Sequence, residues 1–254
     1  MRIHIFGTCA GTEPMPDRHH TSWAIEAPNG ELYIFDAGEG CAHTAHNMGL
    51  DLTKMKAIFI SHMHMDHLWG LPNLLWTPTK LKWVKKLTTE LSVELFVPDL
   101  NHWELVRAMA NGLEKSIAVN AHEVSDGVIF DDGYVKVEAL HNLHLGDKQP
   151  WRSYSYCITC ENKVVIFTGD IKEPDDIDEF LARGCDMLLL ETGHHRPDKM
   201  PKYLGERGNR PVGYLVYIHH GRDILYDPVG SDKLTREAWG GCYKIANDGD
   251  TIEL

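Results

Sequence analysis

The strongest constraint on the fold is the stretch of residues 58–67, where a short apolar, strand-like run leads directly into four side chains that can bind metal. These side chains are His62, His64, Asp66 and His67. Imidazole nitrogen and carboxylate oxygen are ligands of borderline metals such as Zn²⁺, and a loop that leaves a strand can turn them toward two neighbouring centres. The stretch therefore predicts a site for two ions, with His62 and His64 on the first and Asp66 and His67 on the second.

The size and composition of the chain predict one domain over residues 1–254. The apolar fraction of 43% and the charged fraction of 24% are those of an ordinary globular protein, and this length supports one large core. The sequence contains no apolar run long enough to cross a membrane and no export signal at its N-terminus. We therefore expect a cytoplasmic protein with no membrane partner.

The six cysteines are scattered between residues 9 and 242. They do not form the dense framework of a small disulfide-rich domain, and a reducing compartment fits them best. Cys157 and Cys160 form a Cys-x-x-Cys motif within a strand-like run, where alternation directs the two side chains to opposite faces. We interpret them as packing residues rather than as a second metal or redox site.

The formal net charge of −12 bears on the partners of the protein. Nucleic acid is normally met by a basic surface, so the charge argues against a long nucleic acid as the partner. Basic residues do cluster at 80–86 and around Arg207 and Arg210. A solvated helix face and a solvated loop are the favoured interpretation of these clusters.

Strand-like and helix-like segments alternate along the chain in an order typical of an α+β fold. The strand-like runs lie at residues 3–6, 22–25, 32–35, 57–60, 93–97, 135–140, 153–159, 163–167, 187–190 and 214–218. Helices are predicted near residues 41–48, 71–76, 102–111, 175–183 and 197–207. The third of these helices could start at Asp99 or Asn101 and stop at Gly112. Two strand-rich halves separated by helices predict an αββα sandwich, in which two mixed sheets pack face to face with helices on the outer faces.

Two ions need more ligands than one loop supplies, and further candidates follow other predicted strands. Asp170 comes directly after the run at residues 164–169, and its two carboxylate oxygens could bridge both ions. Two other strand-like runs each end in a pair of candidates, His141 and His144 in one case and His219 and His220 in the other. One ligand from each pair would complete the centre and leave a position for a bridging water.

The order of these residues resembles that of the metallo-β-lactamase superfamily over nearly the whole chain. The shared features are His-x-His-x-Asp-His, a later histidine, an aspartate after glycine and a final histidine. The resemblance implies an αββα sandwich with a two-metal centre between the sheets. It also selects His144 over His141 and favours His219 over His220 as the final ligand.

Within that superfamily the N-terminal part resembles the RNase Z branch of tRNA-processing endonucleases and related phosphodiesterases. The similar segments are residues 6–14, 18–22, 35–40 and 66–72. The resemblance implies that Asp36 orients a ligand histidine, a role that such sites commonly require. The chain lacks the late His-Ser-Thr segment of that branch and the Gly/Pro-rich arm that grips tRNA, and residues 188–197 bring His194 and His195 to a strand end instead. These departures favour a small phosphodiester over precursor tRNA.

The sequence therefore predicts a hydrolase with two divalent ions, Zn²⁺ or alternatively Mn or Fe. Hydroxide formed between the ions would attack phosphorus, in a phosphodiester of small or cyclic-nucleotide-like size or at an RNA 3′ end. Asp66 is expected to take part in catalysis, and His194, with His195 as second candidate, to protonate the leaving group.

Two other functions remain open from the sequence. The same centre could hydrolyse the carbonyl of a thioester, lactone or amide, or the protein could be a non-catalytic, metal-bound scaffold or sensor. A homodimer is also possible. Four tryptophans could line a substrate mouth or a dimer contact, although core packing is favoured for them: Trp69, Trp76, Trp83 and Trp103.

Overall fold

A computed structural model describes residues 1–110, 117–208 and 211–254, and its strands form two seven-stranded sheets. The first sheet contains β1 (Arg2–Gly7), β2 (Ser22–Glu26), β3 (Leu32–Phe35), β4 (Met55–Phe59), β5 (Ser92–Val97), β6 (Ala118–Glu123) and β14 (Thr251–Glu253), in the order β14-β1-β2-β3-β4-β5-β6. The second contains β7 (Gly127–Asp131), β8 (Val135–His141), β9 (Tyr154–Cys160), β10 (Lys163–Phe167), β11 (Cys185–Thr192), β12 (Val212–His220) and β13 (Cys242–Ile245), in the order β13-β12-β11-β10-β9-β8-β7.

Helices cover the outer faces of both sheets. They are α1 (Cys41–Asn47), α2 (Met65–Leu68), α3 (Leu71–Lys85), α4 (Leu100–Met109), α5 (Asp178–Leu181), α6 (Lys199–Arg207), α7 (Arg222–Tyr226) and α8 (Pro228–Ala238). One apolar cluster joins the first sheet to α1, α3 and α4, and another joins the second sheet to α5, α6 and α7. The largest cluster fills the space between the sheets. The predicted αββα sandwich is therefore confirmed.

A row of stacked aromatic rings runs across the first sheet on the face that meets the second sheet. Trp23, Phe35, Phe59 and Phe96 occupy paired positions on β2 to β5. Their ring centroids are 4.4, 5.0 and 4.9 Å apart in that order. Aromatic pairs on neighbouring strands stabilise both packing and register, so this row fixes the strand ends from which the functional loops depart.

The direction of the strands brings several loops to one edge of the sandwich. β3 to β6 run parallel in the first sheet, and β10 to β13 run parallel in the second. The carboxyl ends of parallel strands lie at the same edge of a sheet. The two sheets are joined near this edge, where the backbone N–H of Tyr154 donates to the carbonyl oxygen of Ser61 over 2.9 Å.

The predicted helices and strands are largely found, with several corrections. The helix predicted at residues 71–76 continues to Lys85. Asp99 caps α4 by accepting a hydrogen bond from the backbone N–H of Asn101, whereas the predicted end at residues 111 and 112 lies outside the described residues. The segment predicted as a helix at residues 175–183 is a 3₁₀ turn, Pro174–Ile177, followed by the short α5. Elements that the sequence did not predict are α2, α7, α8, β6, β7, β13 and β14.

The remaining expectations about packing are met in part. Cys157 packs in the outer cluster of the second sheet and Cys160 in the central cluster, which confirms that they lie on opposite faces. Trp103 is buried as expected, but core packing was wrong for Trp69, Trp76 and Trp83, which are 50%, 38% and 87% exposed.

Lysines of the cluster at residues 80–86 lie on α3, whereas Arg210 lies outside the described residues. Among the described helices, none has the length and apolar character needed to cross a membrane.

Candidate metal centre

The loop after β4 contributes two histidines to a first group of candidate ligands. His62 and His64 come together with His144, from the loop after β8, and with Asp170, which follows β10. One ligand atom from each of these four residues lies within 4.8 Å of the others. Oδ2 of Asp170 is 3.6 Å from Nε2 of His62 and 3.7 Å from Nε2 of His144.

A second group lies on the other side of Asp170. α2 contains Asp66 and His67, and His219 is the residue before the last in β12. Oδ2 of Asp66 is 3.5 Å from Nε2 of His67 and 3.2 Å from Nε2 of His219. Oδ1 of Asp170 is 3.4 Å from Nε2 of His67 and 3.3 Å from Nε2 of His219. One carboxylate therefore faces both groups, each through a different oxygen.

A backbone irregularity at the end of β12 separates the two histidines that the sequence left as alternatives. The pairing of β11 with β12 skips one residue after Ile218, and His219 has a left-handed φ of 52°. Such conformations are unfavourable for residues other than glycine and are concentrated at functional sites. His219 thereby reaches the cluster, whereas Nε2 of His220 donates to the carbonyl oxygen of Ala246 over 2.8 Å. The structure does not bring His220 to the centre.

Behind the second group, a buried carboxylate holds one histidine in place. Nδ1 of His67 donates to Oδ2 of Asp36 over 2.7 Å, while Nε2 of His67 faces Asp66 and Asp170. Asp36 also accepts from the backbone N–H and the hydroxyl of Ser61, at 2.7 and 2.8 Å. This is the arrangement in which a carboxylate fixes the tautomer of a ligand histidine, as the resemblance implies for Asp36.

Glu191 is a site residue that the sequence analysis did not single out. It is fully buried at the end of β11, and Oε2 lies 3.7 Å from Nδ1 of His219. It accepts hydrogen bonds from the backbone N–H of His194, over 2.9 Å, and from Nδ1 of His194, over 3.2 Å. A signal was present in the sequence, because an acidic residue that follows three leucines at a strand end must be paired when buried.

The two neighbouring histidines of the loop after β11 have different surroundings. Nδ1 of His194 is 3.8 Å from Oδ2 of Asp170, and its side chain is 43% exposed at the rim of the centre. His195 is turned away, since Nε2 donates to the carbonyl oxygen of Ile171 over 3.0 Å and Nδ1 accepts from Lys199 over 3.2 Å. The geometry therefore brings His194, and not His195, to the centre.

Charge in the centre is distributed unevenly. Burial opposes ionisation of Asp170, but His219, His67 and His62 outweigh it and hold the pKa of Asp170 well below its usual range. Burial and the nearby His67 lower the pKa of His62, and burial lowers the pKa of His144 to about 4. In the first group, an ionised carboxylate therefore lies beside imidazoles that burial keeps neutral, which is the donor set that divalent cations take.

The pKa of His194, the candidate proton donor, is shifted in the opposite direction from those of His62 and His144. The hydrogen bond to Glu191 raises the pKa of His194 above its usual value. Burial opposes ionisation of Glu191, yet the hydrogen bond from His194 and the nearby ring of His219 lower the pKa of Glu191 to about 2. The pair therefore consists of a carboxylate that stays ionised and an imidazole that holds its proton more firmly.

Two buried polar atoms in the centre test whether a cation fits between the ligand groups. Nε2 of His62 and Oδ1 of Asp170 have no hydrogen-bond partner within the described part of the chain. Buried polar atoms are normally paired. Here Nε2 of His62 faces Oδ2 of Asp170, and Oδ1 of Asp170 faces Nε2 of His67 and of His219. The residues present therefore suit divalent metal binding.

Comparison with known proteins identifies the family. The family model described as "Anti-Pycsar protein Apyc1" matches residues 1–199. The chain belongs to this family. The matched region contains the loop after β4, the proposed bridging Asp170 and the Glu191–His194 pair, whereas His219 lies beyond it.

The chain is also similar to curated proteins and to solved structures. Ribonuclease Z of Nostoc punctiforme is 32% identical over 146 residues, which are 57% of this chain and 43% of that protein. The chain thus matches less than half of the length of this curated relative. The metallo-β-lactamase fold protein YhfI from Bacillus subtilis superposes over 99% of both chains with a TM-score of 0.76 at 18% identity. The structure of human tRNase Z, short form, superposes over 100% of this chain and 99% of the human chain, with a TM-score of 0.69 at 20% identity. The metallo-β-lactamase fold and the resemblance to the RNase Z branch are confirmed.

Proposed function

We propose that the protein is a phosphodiesterase that depends on two divalent metal ions. The observation that carries the proposal is the position of Asp170, whose two oxygens face two separate groups of ligand atoms. His62, His64 and His144 would hold one ion, and Asp66, His67 and His219 the other, with Asp170 shared. Zn²⁺ suits this set of nitrogen and oxygen ligands, and Mn²⁺ or Fe are alternatives. When bound, two such ions lower the pKa of a water molecule and neutralise charge on the phosphate oxygens.

His194 is the proposed proton donor. Its Nδ1–H is held by Glu191, which leaves Nε2 as the atom that delivers a proton to the departing oxygen. Hydrolysis breaks one P–O bond, adds the elements of water and protonates the leaving alkoxide. Proton delivery of this kind contributes about 10²- to 10⁴-fold to a rate. His195, with both ring nitrogens engaged elsewhere, has a supporting role in holding the loop.

A small phosphodiester, of cyclic-nucleotide-like size, is the proposed substrate class. The support is the net charge of −12, which disfavours a long polyanion, and the absence from the sequence of a Gly/Pro-rich arm. A second candidate is an RNA 3′ end, which the similarity to a protein named Ribonuclease Z favours. The carbonyl-hydrolase and non-catalytic alternatives have no comparable observation in their favour.

A panel of substrates tests the proposal. The protein, loaded with Zn²⁺ or Mn²⁺, is assayed on bis(p-nitrophenyl) phosphate, 3′,5′-cyclic nucleotides, precursor tRNA, a thioester and a lactone. We expect turnover of the small phosphodiesters above that of the other substrates. Preferential hydrolysis of the thioester or lactone would contradict the proposal, and inactivity of fully metallated protein on every substrate would support a scaffold or sensor.

We also propose a homodimer that forms through α3 and α4. Trp83 and Val84 on α3 are 87% and 78% exposed, and Leu105 and Met109 on α4 are each 66% exposed. Leu105 and Met109 are four residues apart and therefore share one face of α4. The two helices pack against each other, and exposed apolar surface can mark a protein–protein contact, so a second copy of the chain is the proposed occupant.

A further inference from the structure

A cleft runs from His194 along the loops that follow β11 and β12 toward α8. Its inner chamber has a volume of about 230 Å³ and is lined by His194, Arg196 and Arg222 among others. An outer chamber of about 640 Å³ shares both arginines and extends to Tyr226. Sites that hold a whole small molecule measure about 300–1,000 Å³. The inner chamber therefore suits one chemical group of a substrate, with the remainder in the outer chamber.

Two arginines give the inner chamber positive charge. Arg196 and Arg222 line it together with one carboxylate, that of Asp223. Nε of Arg196 donates to Asp198 over 3.2 Å, and Nη2 of Arg222 donates to Glu13 over 2.9 Å. A guanidinium group has five N–H donors, so each arginine retains donors for a second oxyanion.

Glu13 shows that this position accepts an oxyanion. Its carboxylate accepts hydrogen bonds from Arg222 and from the hydroxyl of Tyr226, although it comes from the distant loop after β1. The preceding residue, Thr12, lines the inner chamber. The side chains of Arg222 and Glu13 are 68% and 45% exposed, and exposed ion pairs are weak. A phosphate group can therefore compete with Glu13 for Arg222.

We propose that the inner chamber is a second anion subsite, in which Arg196 and Arg222 select phosphodiesters whose leaving group carries an additional phosphate. The inference rests on the proposed function, because His194, the proposed proton donor to the leaving group, lines the same chamber. Arginine binds phosphate through parallel N–H donors that match its oxygens. The additional phosphate lies beyond the scissile bond, on the side of His194.

The test compares three substrates that differ only in a terminal phosphate. Adenylyl dinucleotides carrying a phosphate at the 3′ end, at the 5′ end or at neither end are assayed with the metal-loaded protein. We expect one phosphorylated form to have a kcat/KM about tenfold or more above that of the unphosphorylated dinucleotide, because charge-assisted hydrogen bonds are strong. Arg222→Gln and Arg196→Gln should each bring the ratio of kcat/KM for the phosphorylated dinucleotide to kcat/KM for the unphosphorylated one closer to one. Glu13→Gln should raise it by freeing Arg222.

The matched control is Arg236→Gln. It removes the same charge from α8, where the guanidinium of Arg236 pairs with Asp232 over 2.9 Å, and it should leave the ratio unchanged. Equal kcat/KM for the three dinucleotides, or a preference that persists in both arginine variants, would contradict the anion subsite. The proposed phosphodiesterase activity would not be contradicted by either result. Failure to cleave any phosphodiester would overturn both proposals.

Discussion

Nδ1 of His67 and Oδ2 of Asp36 lie 2.7 Å apart, and both side chains are completely buried. Asp36 adopts a left-handed φ of 55° immediately after β3. A non-glycine residue persists in this conformation only when its surroundings hold it there. The hydrogen bonds that Asp36 accepts from Ser61 and His67 provide that restraint, and the pair sets the direction of Nε2 of His67 toward the centre.

Asp36→Asn should weaken metal binding without removing a proposed ligand. Asparagine tolerates the left-handed conformation, so the substitution mainly removes the negative charge behind His67. Loss of such an orienting carboxylate lowers metal affinity by about 10- to 100-fold, which competition with a chelator measures. Asp126→Asn is the control, since Asp126 pairs with His141 outside the centre. A metal affinity for Asp36→Asn within twofold of the wild type would show that Asp36 has no orienting role.

His194→Ala should lower turnover of a small phosphodiester by about 10²- to 10⁴-fold, because the proposed proton donor is lost. The metal content should stay at the wild-type value. His195→Ala is the comparison, and it should lower turnover by less than His194→Ala, since the ring of His195 bonds to Ile171 and Lys199 instead. Unchanged turnover in His194→Ala would remove this residue from the mechanism.

The centre contains residues that a sequence motif can identify and residues that only the fold can identify. His62, His64, Asp66 and His67 lie in one loop and helix, so their spacing alone predicts a shared site. Glu191 is isolated in the sequence, and its role depends on the parallel alignment of β11 with β12, which brings it to His219. The sequence also could not show that a left-handed residue would direct His219, and not His220, into the centre.

The same distinction applies to the fold. Strands whose residues are buried on both faces, such as β3 and β11, form continuous apolar runs and were predicted. β6 and β7 lie at the sheet edges and are mostly exposed, so they lack that signal. α8 was missed although Asp227 caps it and Pro228 occupies its first turn, because most of its residues are polar.

The double substitution Cys157→Ala and Cys160→Ala should leave the metal content unchanged. The two thiols pack in different apolar clusters, and burial raises the pKa of Cys157 to about 11, so its thiol stays protonated at neutral pH. We expect a loss of about 1 kcal/mol of unfolding free energy for each site. Elemental analysis and denaturant titration measure the two quantities. Loss of one metal equivalent would instead assign the Cys-x-x-Cys motif to a metal site.

Trp83→Asp combined with Val84→Asp should dissociate the proposed homodimer. Charges in an apolar interface are costly to desolvate, so the molar mass measured by light scattering should fall to that of one chain. The control is Val229→Asp, because Val229 is as exposed as Val84, at 79%, but lies on α8. A wild-type protein that already has the mass of one chain at all concentrations would contradict the dimer.

The most direct test of the central claim is metal stoichiometry measured by elemental analysis on protein purified without added metal, for the wild type and for Asp170→Ala. We predict about two divalent ions per wild-type chain, and at most one in Asp170→Ala, because the two oxygens of that carboxylate face both ligand groups. Hydrolysis of a small phosphodiester should be lost together with the ions. A wild-type chain that binds no metal, or an Asp170→Ala chain that keeps two ions and full activity, would contradict the account.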